Sequence, residues 1–152
     1  KSSVGVAFLD LSTGEFLCAQ GDKDYVDKLI ANIAPKELLR MHGTRQFCEE
    51  NISHKCSVFE LEDWVYTSDA ATERLVKHFG TASLKGFGVD GMHEAVVAAG
   101  SLLYYLDLTQ HTNISVIPLF TSFLVSLGSS SCSHIATRLP ALTSFGRYES
   151  SA

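Results

Sequence analysis

Apolar and polar positions follow a strand pattern at the start of the chain. Residues 4–11 are apolar on both faces, which is typical of a strand buried on both sides. A Ser-Thr-Gly turn follows at 12–14, and residues 15–19 return with β-forming side chains. The pattern therefore predicts an antiparallel β-hairpin.

The pattern then changes to a helical period. One apolar stripe predicts a helix over residues 23–32, with Asp22 as its N-cap and Pro35 beyond its end. The stripe consists of Tyr25, Val26, Leu29, Ile30 and Ile33.

Strand and helix patterns alternate over the rest of the first two thirds. Residues 36–41 read as a helix by propensity, but their length and position favour a third strand. A helix with Ser68 as its cap and Gly80 as its terminator is expected over 69–78, with Leu75, Val76 and Phe79 facing inward. The remaining predicted elements are a short helix at 44–51, a strand at 56–61, a glycine-punctuated loop at 82–90 and a long helix at 91–109.

This order of elements predicts an α/β fold with a mixed sheet that opens with an antiparallel hairpin. A three-layer ribonuclease-H-like arrangement fits it. The end of the chain differs, because residues 126–152 are rich in serine, poor in acids and without helical period. We expect that segment to be loosely structured.

Length and composition limit the classes of protein to which this chain can belong. A chain of 152 residues with 45% hydrophobic content can form one domain, or one domain and a tail. Its net charge of −5 argues against a main role in gripping nucleic-acid phosphates. The four cysteines contain no C-x-x-C pair, which indicates reduced thiols in a cytosolic protein.

The ends of the sequence and its hydropathy suggest an excised fragment. Residue 1 is Lys rather than Met, and no signal peptide precedes the first strand-like run. No apolar stretch reaches the roughly 18–20 residues that a membrane-spanning helix needs.

Asp10 is the main candidate for metal chemistry. A ribonuclease-H-like nuclease would place its first metal carboxylate mid-strand, and Glu15, Glu37 and Asp69 are the candidates for further ligands. Such chemistry needs several acids converging on metals about 3.5–4 Å apart. No second acid lies on a strand in the expected order. A structural role for Asp10, in accepting bonds from the 12–14 turn, is the favoured interpretation.

The Gly86-Phe87-Gly88 loop could suggest a nucleotide site. The complete G-x-G-x-x-G pattern with a strand leading into it is missing, and no P-loop motif occurs anywhere in the chain. The two glycines are better explained as residues that let Phe87 pack into the core.

Residues 3–113 resemble the connector domain, the second domain, of the bacterial MutS family of mismatch-recognition ATPases. The opening 5–16 is similar to the family's strand-turn-strand start. Further segments follow in family order: Pro35-Lys36-Glu37-Leu38-Leu39, Phe79-Gly80-Thr81, Gly86-Phe87-Gly88 and Ala98-Ala99-Gly100. Each segment is weak alone, but the series is specific over about 110 residues.

The resemblance implies a non-catalytic domain over residues 1–115. It would couple mismatched-DNA binding to the ATPase domains and offer a surface to MutL, the next repair protein. ATP and magnesium would belong to the parent protein, and this fragment would hold no cofactor or metal. Expected partners are MutL, the other MutS domains, the second MutS subunit and, through the parent, mismatched DNA in the bacterial cytoplasm. A metal-dependent nuclease of ribonuclease-H-like fold is the alternative.

Residues 116–152 depart from the family pattern, which would continue into an acidic segment and a lever helix. A frameshift or another non-native end would account for this tail. The candidate partner surface lies instead on the 69–78 helix, where Glu73, Arg74 and Lys77 are expected to face outward. The matching family positions lie in the MutL-facing region, although outward polar residues are usually just a solvated face.

Overall fold

The fold is described from a computed structural model of the chain, which covers residues 3–10, 14–89, 91–109, 119–122 and 141–147. The strands in this part are β1 (Val4–Asp10), β2 (Glu15–Gly21), β3 (Glu37–Met41), β4 (Ser57–Leu61), β5 (Leu119–Ser122) and β6 (Ala141–Arg147). The helices are α1 (Lys23–Ile33), α2 (Arg45–Asn51), α3 (Ser68–Phe79) and α4 (His93–Thr109), with short 3-10 turns at Asp63–Tyr66 and Lys85–Phe87.

The sheet is mixed, as the sequence predicted, and its strand order is β4-β3-β6-β1-β2-β5. β1 and β2 form the predicted antiparallel hairpin, with a register that runs from Val4 opposite Gly21 to Asp10 opposite Glu15. β3 and β4 are parallel, and this pairing settles the ambiguous segment 36–41 as a strand. The opening hairpin and the parallel pair confirm a mixed α/β fold.

The C-terminal part of the chain contributes two strands to this sheet. β6 lies between β1 and β3, antiparallel to the first and parallel to the second, and β5 is parallel to β2. The expectation of loose structure over 126–152 is therefore wrong at Ala141–Arg147. Leu142, Thr143 and Phe145 are β-forming residue types, and a strand needs few of them. The rest of the 116–152 tail lies outside the described residues.

Alternate residues of β1 point into two separate hydrophobic clusters, as the two-sided apolar pattern requires. Ala7 and Leu9 pack with residues of α3 and α4. Val6 and Phe8 pack with residues of α1 and α2. Helices therefore cover both faces of β1, and its side chains are buried on both sides.

Local signals set the helix ends. The Asp22 carboxylate accepts a hydrogen bond from the Tyr25 backbone N–H at 2.9 Å, which confirms the predicted cap of α1. Gly80 ends α3 in the left-handed region with φ 62°, also as predicted. Thr67 rather than Ser68 is the N-cap of α3, so the predicted start is one residue late.

Two glycines allow elements to pack unusually closely. A Cβ atom on Gly5 of β1 would collide with the backbone of Glu94 and Ala95 at the start of α4. A Cβ atom on Gly100 would likewise collide with Ala71 of α3. The face of α4 that makes these contacts consists of small residues, since Ala95, the alanine pair 98–99 and Gly100 are all buried. These contacts join β1, α4 and α3 into one closely packed unit.

The loop before α4 uses its glycines differently from what the motif suggested. Phe87 is partly buried against the core, and its ring centroid lies 5.3 Å from that of Phe79. Gly88 adopts φ 70°, a conformation that favours glycine. Gly86 has no positive φ, and a Cβ atom there would meet open space. The structure therefore gives a reason for Gly88 and none for Gly86.

Candidate functional site

The predicted partner surface on α3 divides into two environments. Glu73 and Lys77 are both exposed. They lie four residues apart, so their side chains belong to the same face of the helix. The inner face is formed by Ala71 and Leu75, which are fully buried beneath them. These two charges are therefore free to meet a partner without disturbing the core.

Arg74 does not extend into solvent as the sequence analysis expected. Its guanidinium carbon lies 4.7 Å from the ring centroid of Tyr104 on α4 and 5.4 Å from that of Trp64. One guanidinium nitrogen donates a hydrogen bond of 3.1 Å to the Val65 carbonyl. The side chain is accordingly partly buried. Cation–π contact and the hydrogen bond together fix its position.

Trp64 completes this arrangement. Its ring meets Tyr104 edge-on at 5.1 Å and is 52% exposed, whereas Tyr66 is buried. Tyr104 is far from Trp64 and Arg74 in sequence, so no local periodicity could have brought the three together. The structure thus places an exposed aromatic ring directly beside the charged face of α3.

Metal chemistry at Asp10 receives no support. Asp10 lies opposite Glu15 in the hairpin, while Glu37 and Asp69 belong to β3 and α3. Across the described ranges, no three His, Cys, Asp or Glu side chains come close enough to bind a metal ion together. The proposed bonds from the 12–14 turn to the Asp10 side chain lie partly outside the described residues. The Gly14 N–H does donate 2.8 Å to the Asp10 backbone carbonyl.

The described thiols are not activated nucleophiles. Cys18, Cys48 and Cys56 are free, and the fourth cysteine lies outside the described part of the chain. Burial raises the pKa of the Cys18 thiol from 9.0 to about 12. Burial also raises the pKa of Cys48 and of Cys56. All three are therefore protonated at neutral pH, whereas a reactive cysteine needs a lowered pKa.

No helix in the described part of the chain combines the length and the apolar character that are needed to cross a bilayer.

Comparison with known proteins identifies the family. Residues 1–118 match the family described as MutS domain II. Over 117 residues, the chain is 54% identical to the DNA mismatch repair protein MutS of Bacteroides thetaiotaomicron and 52% identical to that of Bacteroides fragilis. The same protein of Cytophaga hutchinsonii is 42% identical over 117 residues.

The alignments cover most of this chain but only a small part of each relative. Each alignment covers 77% of this chain and 14% of the relative, so the chain spans about one seventh of these proteins. The family match ends at residue 118, immediately before β5, and β6 lies beyond it. Within that extent, the resemblance seen in the sequence is confirmed. This chain belongs to the MutS domain II family.

Proposed function

We propose that this chain acts as the connector domain of a bacterial MutS protein in DNA mismatch repair. In that role it binds no substrate itself, and it transmits the state of the mismatched-DNA site to the ATPase domains of the parent in the cytoplasm. The observation that carries the proposal is the match to MutS domain II over residues 1–118. ATP and magnesium are assigned to the other domains of the parent protein, as the resemblance to the MutS connector domain implies.

The packing supports a mechanical role. Gly5 lets the start of α4 lie directly on β1, and Gly100 lets α4 lie directly on α3. Contacts of this closeness leave little room for one element to slide past another, because protein interiors are close-packed. A domain of this kind moves as one body and passes displacement from one neighbour to another.

A surface for MutL on α3 is the second part of the proposal. Glu73 and Lys77 supply exposed charges of opposite sign, and Arg74 is held between Trp64 and Tyr104. A charged group that is already fixed loses less conformational entropy when a partner binds. The site therefore combines two adaptable charges with one rigid cation.

Charge reversal in the full-length parent protein tests this surface. Glu73→Lys with Lys77→Glu should weaken MutL binding, and neither change touches the core beneath α3. Lys28→Glu is the matched control, because Lys28 is an exposed charge on α1, which packs against the other face of the sheet. MutL capture that is equal for the double variant and the control removes the α3 surface from the proposal.

Coupling is tested separately from MutL binding. Full-length protein that carries Gly100→Ala should retain mismatched-DNA binding and basal ATP hydrolysis, but mismatched DNA should change its ATPase rate less. The reason is that the substitution loosens the α3–α4 contact inside this domain, while the resemblance assigns both sites to other domains of the parent. An unchanged ATPase response, with the substitution shown to lower stability, would contradict the rigid-body role.

The ribonuclease-H-like arrangement is proposed as the detailed form of the fold. The opening antiparallel hairpin, the mixed sheet and the helices on both faces of β1 support it. Superposition of the sheet and its helices on a ribonuclease H fold tests it. Strands that cannot be paired in the same order would refute it.

A further inference from the structure

The outer edge of β4 is open over the described residues, because β4 is the terminal strand in the sheet order. The Ser57 N–H donates a hydrogen bond of 3.0 Å to the carbonyl of Lys36, the residue before β3. The Leu61 carbonyl accepts one of 3.1 Å from the N–H of His42, the residue after β3. Backbone groups alternate in direction along a strand. The N–H and C=O groups of Val58 and Glu60 therefore point outward, to the side where the sheet ends.

This edge carries apolar side chains on both faces of the sheet. Val58 is 48% exposed and is opposite Leu38 in the β3 register. Phe59, on the other face, is 42% exposed and lies 5.7 Å from the Tyr105 ring. Edge strands are normally protected by lysine, proline or a bulge, and residues 57–61 contain neither lysine nor proline.

Exposed apolar residues continue along the same side of the molecule. The four large hydrophobic residues that are exposed in the described part of the chain all lie in β4, the adjoining 3-10 turn and the last turns of α4. They are Val58, Phe59, Trp64 and Leu108. Leu108 is one helical turn beyond Tyr104, which contacts Trp64, so it lies on the same face of α4.

Charge indicates what can lie against this edge. Glu60 is paired with Arg40, and Glu62 and Asp63 follow it as exposed acids. Two copies of the chain meeting edge to edge would each bring a net charge of −5 to the interface. A strand that carries lysine or arginine would instead meet opposite charge.

We propose that the β4 edge binds an extended segment of a partner protein as an added β-strand. The segment has apolar side chains on both faces, because Val58 and Phe59 require cover on opposite sides, and it is basic at its flank. Backbone hydrogen bonds to Val58 and Glu60 supply affinity, and the side chains supply specificity. This surface adjoins the α3 site through Trp64, but the proposal rests on the backbone and side chains of β4 and does not depend on the function proposed above.

The test uses the full 152-residue chain and a labelled synthetic peptide, Lys-Thr-Val-Ile-Val-Lys. Fluorescence anisotropy should show saturable binding, and the backbone amide signals that move on titration should belong to residues 57–62. Val58→Pro removes an outward N–H and no bond to β3, so it should weaken binding about fivefold or more. Val58→Thr keeps the N–H and is the matched control.

Two further changes test the backbone hydrogen bonds and the charge at the edge separately. A peptide that is N-methylated at three consecutive central residues loses its donors on both edges and should not bind, which decides the case if Val58→Pro does not fold. Glu62→Lys should weaken the binding of the basic peptide and strengthen the binding of a peptide that has glutamate in place of each lysine. Amide shifts that fall outside β4, equal binding by Val58→Pro, or dimerisation of the chain through β4 would each overturn the proposal.

Discussion

Gly100 faces Ala71 where α4 crosses α3, and there is no space for a side chain between them. The small residues of the run 98–100 can be read from the sequence, and the structure buries all three of them. The identity of the opposing residue was not visible, because α3 and α4 are separated by a loop whose path the sequence does not define.

Gly100→Ala should lower the free energy of unfolding by about 1–3 kcal/mol, since the added methyl group must push α3 and α4 apart. The loss should occur even though alanine favours the helix more than glycine does. Gly86→Ala is the matched control, because its Cβ meets open space, and its effect should stay within about 1 kcal/mol. Urea denaturation measures both variants, and equal stability would contradict the close contact.

Arg74 and Trp64 provide a second test at the residue scale. Trp64 is the only tryptophan in the sequence, so its fluorescence reports on this contact alone. Arg74→Gln removes the cation beside the ring and should change the emission spectrum, with a loss of stability of about 0.5–1 kcal/mol. Glu73→Gln, one residue away and exposed, should leave the spectrum unchanged. Identical spectra for all three proteins would show that Arg74 does not contact the ring in solution.

At the scale of elements, local sequence patterns predicted the presence of each helix or strand, and which of the two it is, better than the residues at which it begins and ends. The strand at 36–41 was favoured over a helix because of its position after the hairpin and α1, and its pairing with β4 confirms it. The start of α3 was placed one residue late, since Thr67 and Ser68 are both good caps and only the chain's direction after the 3-10 turn selects between them.

β6 was missed for a different reason. A strand in the interior of a sheet gains its stability from its neighbours, so its own sequence needs only short stretches of compatible residues. Segment 141–147 lies in a serine-rich context, and that composition outweighed its few β-forming residues. The candidate site could not be predicted from the sequence either. Its residues Trp64, Arg74 and Tyr104 come from three elements and meet only after the fold is formed.

The buried thiol of β2 predicts a loss of stability at alkaline pH. Burial raises the pKa of Cys18 to about 12 in the folded chain against 9.0 when unfolded, so the unfolded state loses its proton first. The contribution of the protonated Cys18 thiol to the stability of the fold is complete below pH 9 and is lost as pH rises toward 12. The slope from this group approaches about 1.4 kcal/mol per pH unit.

Cys18→Ala measures the size of this contribution. The variant is expected to be less stable at neutral pH, because it leaves a cavity, but its stability should fall less steeply between pH 9 and 11. Some slope remains, since burial also raises the pKa of Cys48 and of Tyr105, the latter with a contribution from the charge of Glu37. Parallel stability curves for the two proteins would show that Cys18 is not the buried titrating group.

At the scale of the whole molecule, the sheet and the family match have different extents. The match ends at residue 118, whereas β6 lies between β1 and β3 in the sheet. A chain that ends after residue 118 would lose both β5 and β6 and leave β1 and β3 without their shared neighbour. Such a chain tests directly whether residues 1–115 form a domain by themselves.

We expect the shortened chain to be markedly less stable than the full chain, with a broad thermal transition in place of a cooperative one. Each β-strand edge it exposes carries unpaired backbone groups that water alone must satisfy. Circular dichroism melts of the two chains provide the comparison, and sedimentation velocity shows whether the exposed edges cause association. A shortened chain with an unchanged melting temperature would mean that β6 adds nothing to the stability of the sheet.

The pairing of β1 with β6 also determines when the sheet can be completed during synthesis. Val4 is paired with Arg147, which comes much later in the chain. The hairpin of β1 and β2 can form early, but the other edge of β1 must wait until β6 has emerged from the ribosome. Contacts between such distant segments slow folding, because a long loop must close before any of them forms. Nascent chains of this protein would therefore expose one edge of the apolar strand β1 until β6 has been made, and an exposed edge of this kind favours aggregation.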